Sequence, residues 1–226
     1  WVRVQSIFNN WTLGNGNTTA WNPDKAAIAG TPHVIDSQTT IAVNDMNPAH
    51  IIYNVLTNRT WGMGYNPEDI DDTSFKRAAD ILFNESFGLS LAWRREEVIE
   101  EFLNIILKTI DGILRVNAVT GKFQLLLIRN DYDIDALSVL NEDNIISLQK
   151  YERSSWGDTP NEIVLTYRDR NEDAAVVTVQ NIAAIETQQG VISTTVEYVG
   201  IHEHALAARV AQRELNMAST PLATMF

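Results

Sequence analysis

Residues 47–64 read NPAHIIYNVLTNRTWGMG, and this stretch contains the start of a helix, the helix itself and its exit. Asn47 is a favourable N-cap residue, because its side-chain oxygen can accept a hydrogen bond from a free backbone N–H of the first turn. Pro48 suits the first helical position, where no N–H donor is needed. Gly62 and Gly64 allow a positive φ or a close approach of the backbone. The stretch therefore predicts a short helix followed by a sharp turn.

The predicted helix has an apolar face and carries no motif of catalysis or metal binding. Its large aliphatic residues share that face: Ile51, Ile52, Val55 and Leu56. A polar stop follows at Thr57-Asn58, and Trp61 lies between this stop and the two glycines. A histidine at the position of His50 is more often a surface or capping residue than a catalytic base, and we interpret His50 and Trp61 as residues to be tested for a role in packing. The whole segment is interpreted as scaffold.

Two more helices are predicted after this one. The first has apolar residues at i, i+3, i+4 and i+7 from Phe75 onward, behind a start at Asp71-Asp72-Thr73. The second opens at Glu96-Glu97 and stops at Asp111-Gly112, and its apolar stripe is wide. A helix that is apolar over so much of its circumference has to be covered on two sides. We expect the three helices to form a layer on a sheet or against a neighbouring subunit.

After Gly112 the apolar residues alternate with a period of two, which is typical of strands. The turn Thr120-Gly121-Lys122 joins two such runs and predicts a β-hairpin. The later elements are predicted as strands at 145–148, 162–168, 174–180 and 194–199, a helix at 202–217 and an extended end at 223–226. The predicted fold class is α+β, an antiparallel β-barrel or sheet of hub type with a layer of about three helices and a late helix near the C-terminus.

Three regions are predicted along the chain. Residues 1–45 are rich in Asn, Thr, Gly and Ser and are predicted to be an irregular segment that completes a neighbouring domain or interface. Residues 46–111 form a helical subdomain, and residues 112–226 form a β-rich subdomain. The aromatic side chains of the first region could anchor it on another surface: Trp1, Phe8, Trp11 and Trp21. We expect the chain to be a fragment of a longer protein, because residues 1–5 already alternate as in a strand.

Composition excludes several classes of protein. The 226 residues carry 17 Lys and Arg against 29 Asp and Glu, a net charge of -12 that repels phosphate backbones and argues against general nucleic-acid binding. The chain has no Cys, which excludes disulfides, thiolate zinc sites and cysteine nucleophiles. No apolar run approaches the roughly 20 residues that span a bilayer, so no membrane-spanning segment is expected.

Two acidic or histidine clusters resemble metal sites but do not satisfy their requirements. His202-Glu203-His204 has the ligand types of a metal site, but helical residues two apart point in roughly opposite directions. Residues 131–142 begin with alternating Asp residues like a calcium loop and end on Glu142, yet Ala136 stands where such a loop needs Gly. No serine elbow or phosphate-binding loop is present in the sequence. We therefore predict no catalytic, cofactor-binding or metal-binding residues and no cofactor.

The order of these motifs resembles a known family. Residues 47–64, the run 75–82, Phe87-Gly88, the predicted helix 96–111 and the Gly121 turn are together similar to the central region of the phage tail-tip attachment proteins, the J-type hub family of long-tailed phages. The resemblance covers residues 47–226 in order. It assigns structural roles to eight residues, which start the helix, pack it inward, form its exit and turn the hairpin: Asn47, Pro48, Tyr53, Leu56, Trp61, Gly62, Gly64 and Gly121.

The resemblance implies a non-enzymatic structural protein of a phage or prophage. In that family the hub forms a ring, typically a homotrimer, which closes the tail tube at the tail tip or baseplate and supports host attachment. The implied partners are further copies of the chain, other phage tail proteins and a host surface receptor bound through other parts of the full-length protein. The implied location is the virion tail tip, after assembly in the bacterial cytoplasm. A tail-associated carbohydrate- or peptidoglycan-active enzyme and a carbohydrate-binding module remain the alternatives.

Overall fold

The computed structural model describes most of the chain, namely residues 2–3, 26–30, 33–34, 40–41, 44–93, 98–137, 139, 141, 144–145, 151–153, 155, 157, 159–219 and 223–225. Its helices are α1 Pro48–Thr57, α2 Asp72–Asn84, α3 Ile99–Ile110, α4 Ile182–Gln188 and α5 His204–Ala218. Its strands are β1 Val2–Arg3, β2 Ala27–Ala29, β3 His33–Val34, β4 Thr40–Ile41, β5 Asn44–Met46, β6 Ala92–Trp93, β7 Gly112–Val116, β8 Phe123–Leu127, β9 Tyr151–Arg153, β10 Glu162–Arg168, β11 Ala174–Gln180, β12 Ser193–Glu197 and β13 Ala223–Met225. The α+β class predicted from the sequence is confirmed.

The chain folds into two compact units. Unit 1 consists of Trp1–Ile128, Tyr167–Ala175 and Tyr198–Leu206, and unit 2 consists of Arg129–Thr166, Val176–Glu197 and Ala207–Phe226. Both units are therefore discontinuous in sequence. The division into regions 1–45, 46–111 and 112–226 stays a prediction. The aromatic anchors proposed in the first region lie outside the described residues: Trp1, Phe8, Trp11 and Trp21.

Helix α1 is the centre of unit 1, with α2 and α3 packed against it. Every residue from Pro48 to Leu56 is buried, so this helix has no solvent-facing side. The side chain of Asn47 accepts the backbone N–H of Ala49 at 3.1 Å and donates to the carbonyl of Ala79 in α2 at 2.9 Å. The ring of Tyr53 meets Phe75 of α2 edge-on, with 6.1 Å between centroids. The cap thus begins α1 and also fixes it to its neighbour.

His50 is a packing residue, as one of the two interpretations of the sequence had it, and the alternative of a surface or capping position is wrong. His50 is 0% exposed in the middle of the first turns of α1. The sequence suggested one apolar face, but neighbours cover the opposite face as well, which buries every side chain on it. Burial disfavours the charged imidazolium, and it lowers the pKa of His50 from 6.5 to about 3.

The exit of α1 depends on two glycines in different ways. A Cβ on Gly62 would collide with the carbonyl oxygen of Val55 and would come within 2.8 Å of the carbonyl oxygen of Asn58. Gly64 instead has a φ of +74°, in the left-handed region. The chain therefore turns back across the end of α1, where the N–H of Met63 donates to Val55 O at 2.8 Å. Trp61 is partly exposed in this turn.

Helix α3 leads directly into the β7–β8 hairpin. Asp111 ends the helix in the left-handed conformation with a φ of 54°, and strand β7 begins at the next residue. Strands β7 and β8 pair antiparallel, with Ile113 opposite Leu126 and Leu114 opposite Leu125. Leu125 is buried where β8 packs on α2, and Gly121 turns the hairpin with a φ of +70°. The predicted start of α3 at Glu96-Glu97 lies outside the described residues.

The sheet of the second half differs from the antiparallel barrel that the sequence suggested. Its strand order is β11-β10-β12, and β12 runs parallel to β10, with Glu162 opposite Ser193. Helix α4, which the sequence analysis missed, lies between β11 and β12 in the chain and returns it so that β12 runs parallel to β10. Among the described strands no barrel closes. The strand predicted at 145–148 lies outside the described residues except for Ile145, which is in no strand.

The close approach at Gly62 predicts a large cost for a methyl group there. Gly62→Ala should lower the free energy of unfolding by about 2–3 kcal/mol, because backbone carbonyls occupy the space that the Cβ needs. Gly121→Ala should cost only about 1 kcal/mol, for its positive φ alone, since no atom lies within 4 Å of the added Cβ. Gly190→Ala, with open space and an ordinary φ, is the control. Equal losses for Gly62→Ala and Gly190→Ala in urea unfolding would contradict this packing.

The buried imidazole predicts a pH dependence of stability. Between pH 6.5 and about 3 the folded chain keeps His50 neutral while the unfolded chain protonates it, so stability falls as the pH falls. The full slope of this contribution is about 1.4 kcal/mol per pH unit. His50→Leu removes this contribution. When the free energy of unfolding is measured by urea titration from pH 7 to 4.5, it should therefore fall less steeply with falling pH in the variant than in the parent chain. Parallel curves for the two proteins would show that His50 does not cause this pH dependence.

Candidate functional site

A partly buried cluster of charged side chains joins the three segments of unit 1. Arg170, in the turn between β10 and β11, donates from Nη2 to Asp45 Oδ2 at 2.8 Å and from Nη1 to Asp45 Oδ1 at 3.2 Å. Its Nε and Nη2 also donate to Glu203 Oε1, at 2.9 and 2.6 Å. Asp45 lies on β5, and Glu203 immediately precedes α5. One guanidinium therefore bridges two carboxylates that are far away in sequence.

Small residues make room for this cluster. A Cβ on Gly30 would collide with Nη2 of Arg170 and come within 2.8 Å of Glu203 Oε1. A Cβ on Gly88 would lie 2.5 Å from the Cβ of Asp45. Ser90 donates its hydroxyl to Asp45 Oδ1 at 2.9 Å. The backbone of unit 1 is thus shaped closely around the Asp45 carboxylate.

The carboxylates of Asp45 and Glu203 stabilise the charged form of Arg170. Burial by itself would lower the pKa of Arg170, but the hydrogen bonds and negative charges of Asp45 and Glu203 raise the pKa above its ordinary value. Arg170 therefore stays charged in the folded protein. Burial, with the charges of Asp169 and Glu203, also raises the pKa of Tyr167, whose hydroxyl lies 3.2 Å from Nδ1 of His204. This tyrosine is held as the neutral phenol.

In the structure the three side chains of His202-Glu203-His204 contact different groups. The ring nitrogens of His202 lie 3.1 Å from the backbone oxygens of Ser90 and of Asp169. Glu203 binds Arg170, and His204 faces Tyr167. Each side chain thus has its own contact within unit 1. Among the described residues, no group of three His, Asp or Glu side chains is placed to hold a metal ion.

The acidic stretch that resembled a calcium loop is a surface turn. Residues Ile134–Ala136 form a 3-10 turn, and the carboxylate of Asp133 accepts the N–H of Asp135 at 3.1 Å. All residues from Asp131 to Leu137 are exposed. Glu142, the acidic residue at the end of the supposed loop, lies outside the described residues.

In unit 2 the buried Asn161 holds the crossover that places β12. Its Nδ2 donates to Gln188 Oε1 at 2.5 Å and to Gly190 O at 2.7 Å, and its Oδ1 accepts the N–H of Ile192 at 2.8 Å. Its backbone carbonyl accepts the N–H of Asn181, the residue that caps α4. The side chain of Asn161 thus forms hydrogen bonds both at the end of α4 and at the entry to β12. Asn181 followed by Ile and Ala residues was the signal from which α4 could have been predicted.

Large apolar side chains are exposed on both units. In unit 1 they include Ile113, Leu126 and Ile128 of the hairpin region, and in unit 2 they include Tyr132, Ile134, Leu137 and Val139. Clusters of exposed apolar side chains mark interaction sites more often than isolated ones do. The polar clusters are engaged in holding the fold, whereas these apolar side chains face solvent.

The residues singled out from the sequence lie in the scaffold. Asn47, Pro48, Tyr53 and Leu56 are buried in or before α1, and Gly62, Gly64 and Gly121 are in turns. The structure does not bring them together into one site. Sequence reasoning missed the cluster of Asp45, Arg170 and Glu203, since no local pattern connects residues so far apart.

The described residues define an α+β fold with polar clusters inside each unit and large apolar side chains exposed on both. The chain belongs to the Phage-tail_3 family: the family model, described as "Putative phage tail protein", matches residues 99–225, more than half of the chain. The protein is thus a phage tail protein, and its family places it in the virion tail among other tail proteins. No curated protein matches the sequence. No helix among the described residues is long and apolar enough to cross a membrane.

The charged cluster predicts a strong effect of removing its arginine. Arg170→Ala should lower the free energy of unfolding by about 3–5 kcal/mol, because it leaves the buried Asp45 carboxylate without its countercharge. Arg168→Ala, two residues away and exposed, should change it by less than about 1 kcal/mol. A triple variant, Arg170→Met with Asp45→Asn and Glu203→Gln, should recover part of the loss in the same thermal or urea unfolding measurement. An Arg170→Ala variant as stable as Arg168→Ala would show that the cluster does not hold unit 1 together.

Proposed function

We propose that this chain is a structural, non-enzymatic domain of the hub at the distal tip or baseplate of a phage or prophage tail. The observation that carries the proposal is the match of residues 99–225 to a phage tail family. The order of motifs over residues 47–226, which resembles the J-type tail-tip proteins, supports the finer assignment to the tip. In this role the domain helps to close the tail tube, and other parts of the full-length protein contact the host receptor.

We further propose that the domain works as a homotrimer or ring. The exposed aliphatic side chains support this, because a hub subunit must bury apolar surface against its neighbours. The net charge of -12 disfavours non-specific self-association, so specific contacts have to overcome a general repulsion. The carboxylates and imidazoles around Arg170 contribute by holding three segments of the chain in one rigid unit rather than by chemistry.

The proposal is tested first by the mass of the particle in solution. Sedimentation and native mass spectrometry of the chain, which has a mass of 25.4 kDa, should show a species of three copies whose share rises with concentration. A monomer at every concentration would contradict the ring. A monomer that also degrades cell-wall polymer would favour the tail-associated enzyme, and a monomer that binds the polymer without degrading it would favour the carbohydrate-binding module.

The position in the virion is tested separately. Antibodies raised against the purified chain and labelled with gold should decorate phage particles at the end of the tail away from the capsid. Labelling along the whole tube would instead assign the chain to the tube, within the same family of tail proteins. The control is the same antibody after adsorption with the purified chain, which should label no part of the particle.

A further inference from the structure

The outer face of the β7–β8 hairpin is apolar and exposed. Residues directly opposite each other in an antiparallel pair point to the same side of the sheet, so Leu114 and Leu125 share the side that packs on α2. Ile113 and Leu126 are opposite each other on the other side, and they are 47% and 37% exposed. Ile128, two residues beyond Leu126, is 54% exposed. We call the surface formed by Ile113, Arg115, Leu126 and Ile128 the hairpin face.

The hairpin region is basic in an acidic chain. Residues 105–129 contain four basic residues and one acidic residue, a net charge of +3, whereas the whole chain carries -12. Arg115 lies two residues after Ile113 on β7, and so on the same side of the hairpin, and it is exposed. Lys122 is exposed beside the turn at Gly121. The hairpin face is therefore apolar with basic residues around it.

A second surface has the opposite charge. Residues 131–137 read DYDIDAL and contain three acidic and no basic residues, a net charge of -3. All seven are exposed, among them Tyr132, Leu137 and Ile134, the last at 75%. Apolar side chains thus alternate with carboxylates on the surface of unit 2. We call residues 131–137 the acidic segment.

These two surfaces complement each other in charge and in apolar character. We propose that the hairpin face of one copy of the chain binds the acidic segment of a second copy. This proposal rests on the function proposed above, and it names the surfaces through which the copies associate. Opposite charge brings the two surfaces together and aligns them, while burial of the aliphatic side chains supplies most of the free energy of binding.

The pairing of two different surfaces has a geometric consequence. In a head-to-tail arrangement each copy binds one neighbour through its hairpin face and another through its acidic segment, and repeated copies close into a ring when the rotation between them permits it. In a two-fold dimer the hairpin face of each copy would meet the acidic segment of the other, so that both contacts form between the same two copies. The ring proposed above requires the head-to-tail arrangement.

The test uses the complete chain and reverses the charge of each surface in turn. Arg115→Glu with Lys122→Glu reverses the hairpin face, and Asp131→Lys with Asp135→Lys reverses the acidic segment. The quadruple variant carries both reversals. The matched control is Lys76→Glu with Arg77→Glu on the exposed side of α2, which changes the net charge as much as the hairpin reversal does. Circular dichroism and thermal unfolding establish that each variant is folded.

Sedimentation across a concentration series should give a clear order. Each single-surface reversal should raise the dissociation constant of the oligomer tenfold or more, the quadruple variant should restore it, and the α2 control should leave it unchanged.

The outcomes separate this proposal from the function on which it rests. An oligomer of the parent chain that neither reversal weakens, or that both weaken and the quadruple variant does not restore, would overturn the pairing of these two surfaces and leave the ring intact. A parent chain that stays monomeric at every concentration would overturn the pairing and the ring together. A dimer as the largest species would overturn the ring and the head-to-tail arrangement, whatever the charge reversals do.

Discussion

Unit 1 depends on the contact of Arg170 with two carboxylates. The unit is made of three separate stretches of the chain, and each stretch contributes one member of the cluster: Asp45, Arg170 and Glu203. In a low-dielectric environment a carboxylate without a countercharge is costly, so separating the stretch of Arg170 from that of Asp45 would destabilise unit 1. His202 strengthens the same junction through the backbone oxygens of Ser90 and Asp169. The family match over residues 99–225 includes Arg170 and Glu203 but not Asp45, so the matched region alone lacks part of this unit.

The buried helix α1 gives unit 1 its rigid centre. With nine consecutive residues buried, from Pro48 to Leu56, the helix is stabilised by packing on all sides rather than by intrinsic helix propensity. It holds α2 and α3, and these helices carry the hairpin: β8 packs on α2, and β7 follows α3. The hairpin can therefore expose apolar residues on one side without losing its structure, because its other side is fixed. This division between a packed side and an exposed side suits a protein that functions in an assembly.

Much of the local structure could be predicted from single stretches of sequence. The predicted start of α1 at Asn47-Pro48, the hairpin turn at Gly121 and the strands at 162–168 and 174–180 agree with the elements in the structure. The parallel strand β12 could not be predicted in the same way, because strand direction depends on a crossover that Asn161 and α4 complete over some thirty residues. The sequence left open whether His50 lies at the surface or packs in the interior, because the apolar pattern of α1 shows one face and gives no account of what covers the other.

The sequence by itself determined where α1 begins and where the hairpin turns, and it determined the charge difference between the hairpin and the segment that follows it. Caps, turn glycines and hydrophobic period act between residues a few positions apart, so a single stretch contains the information they need. Only the tertiary structure decided which side of the hairpin is covered, that His50 and Asp45 are buried, and that Arg170 lies against Asp45. The energy of a charged or titratable group depends on what surrounds it in space, and here the neighbours come from segments more than a hundred residues apart.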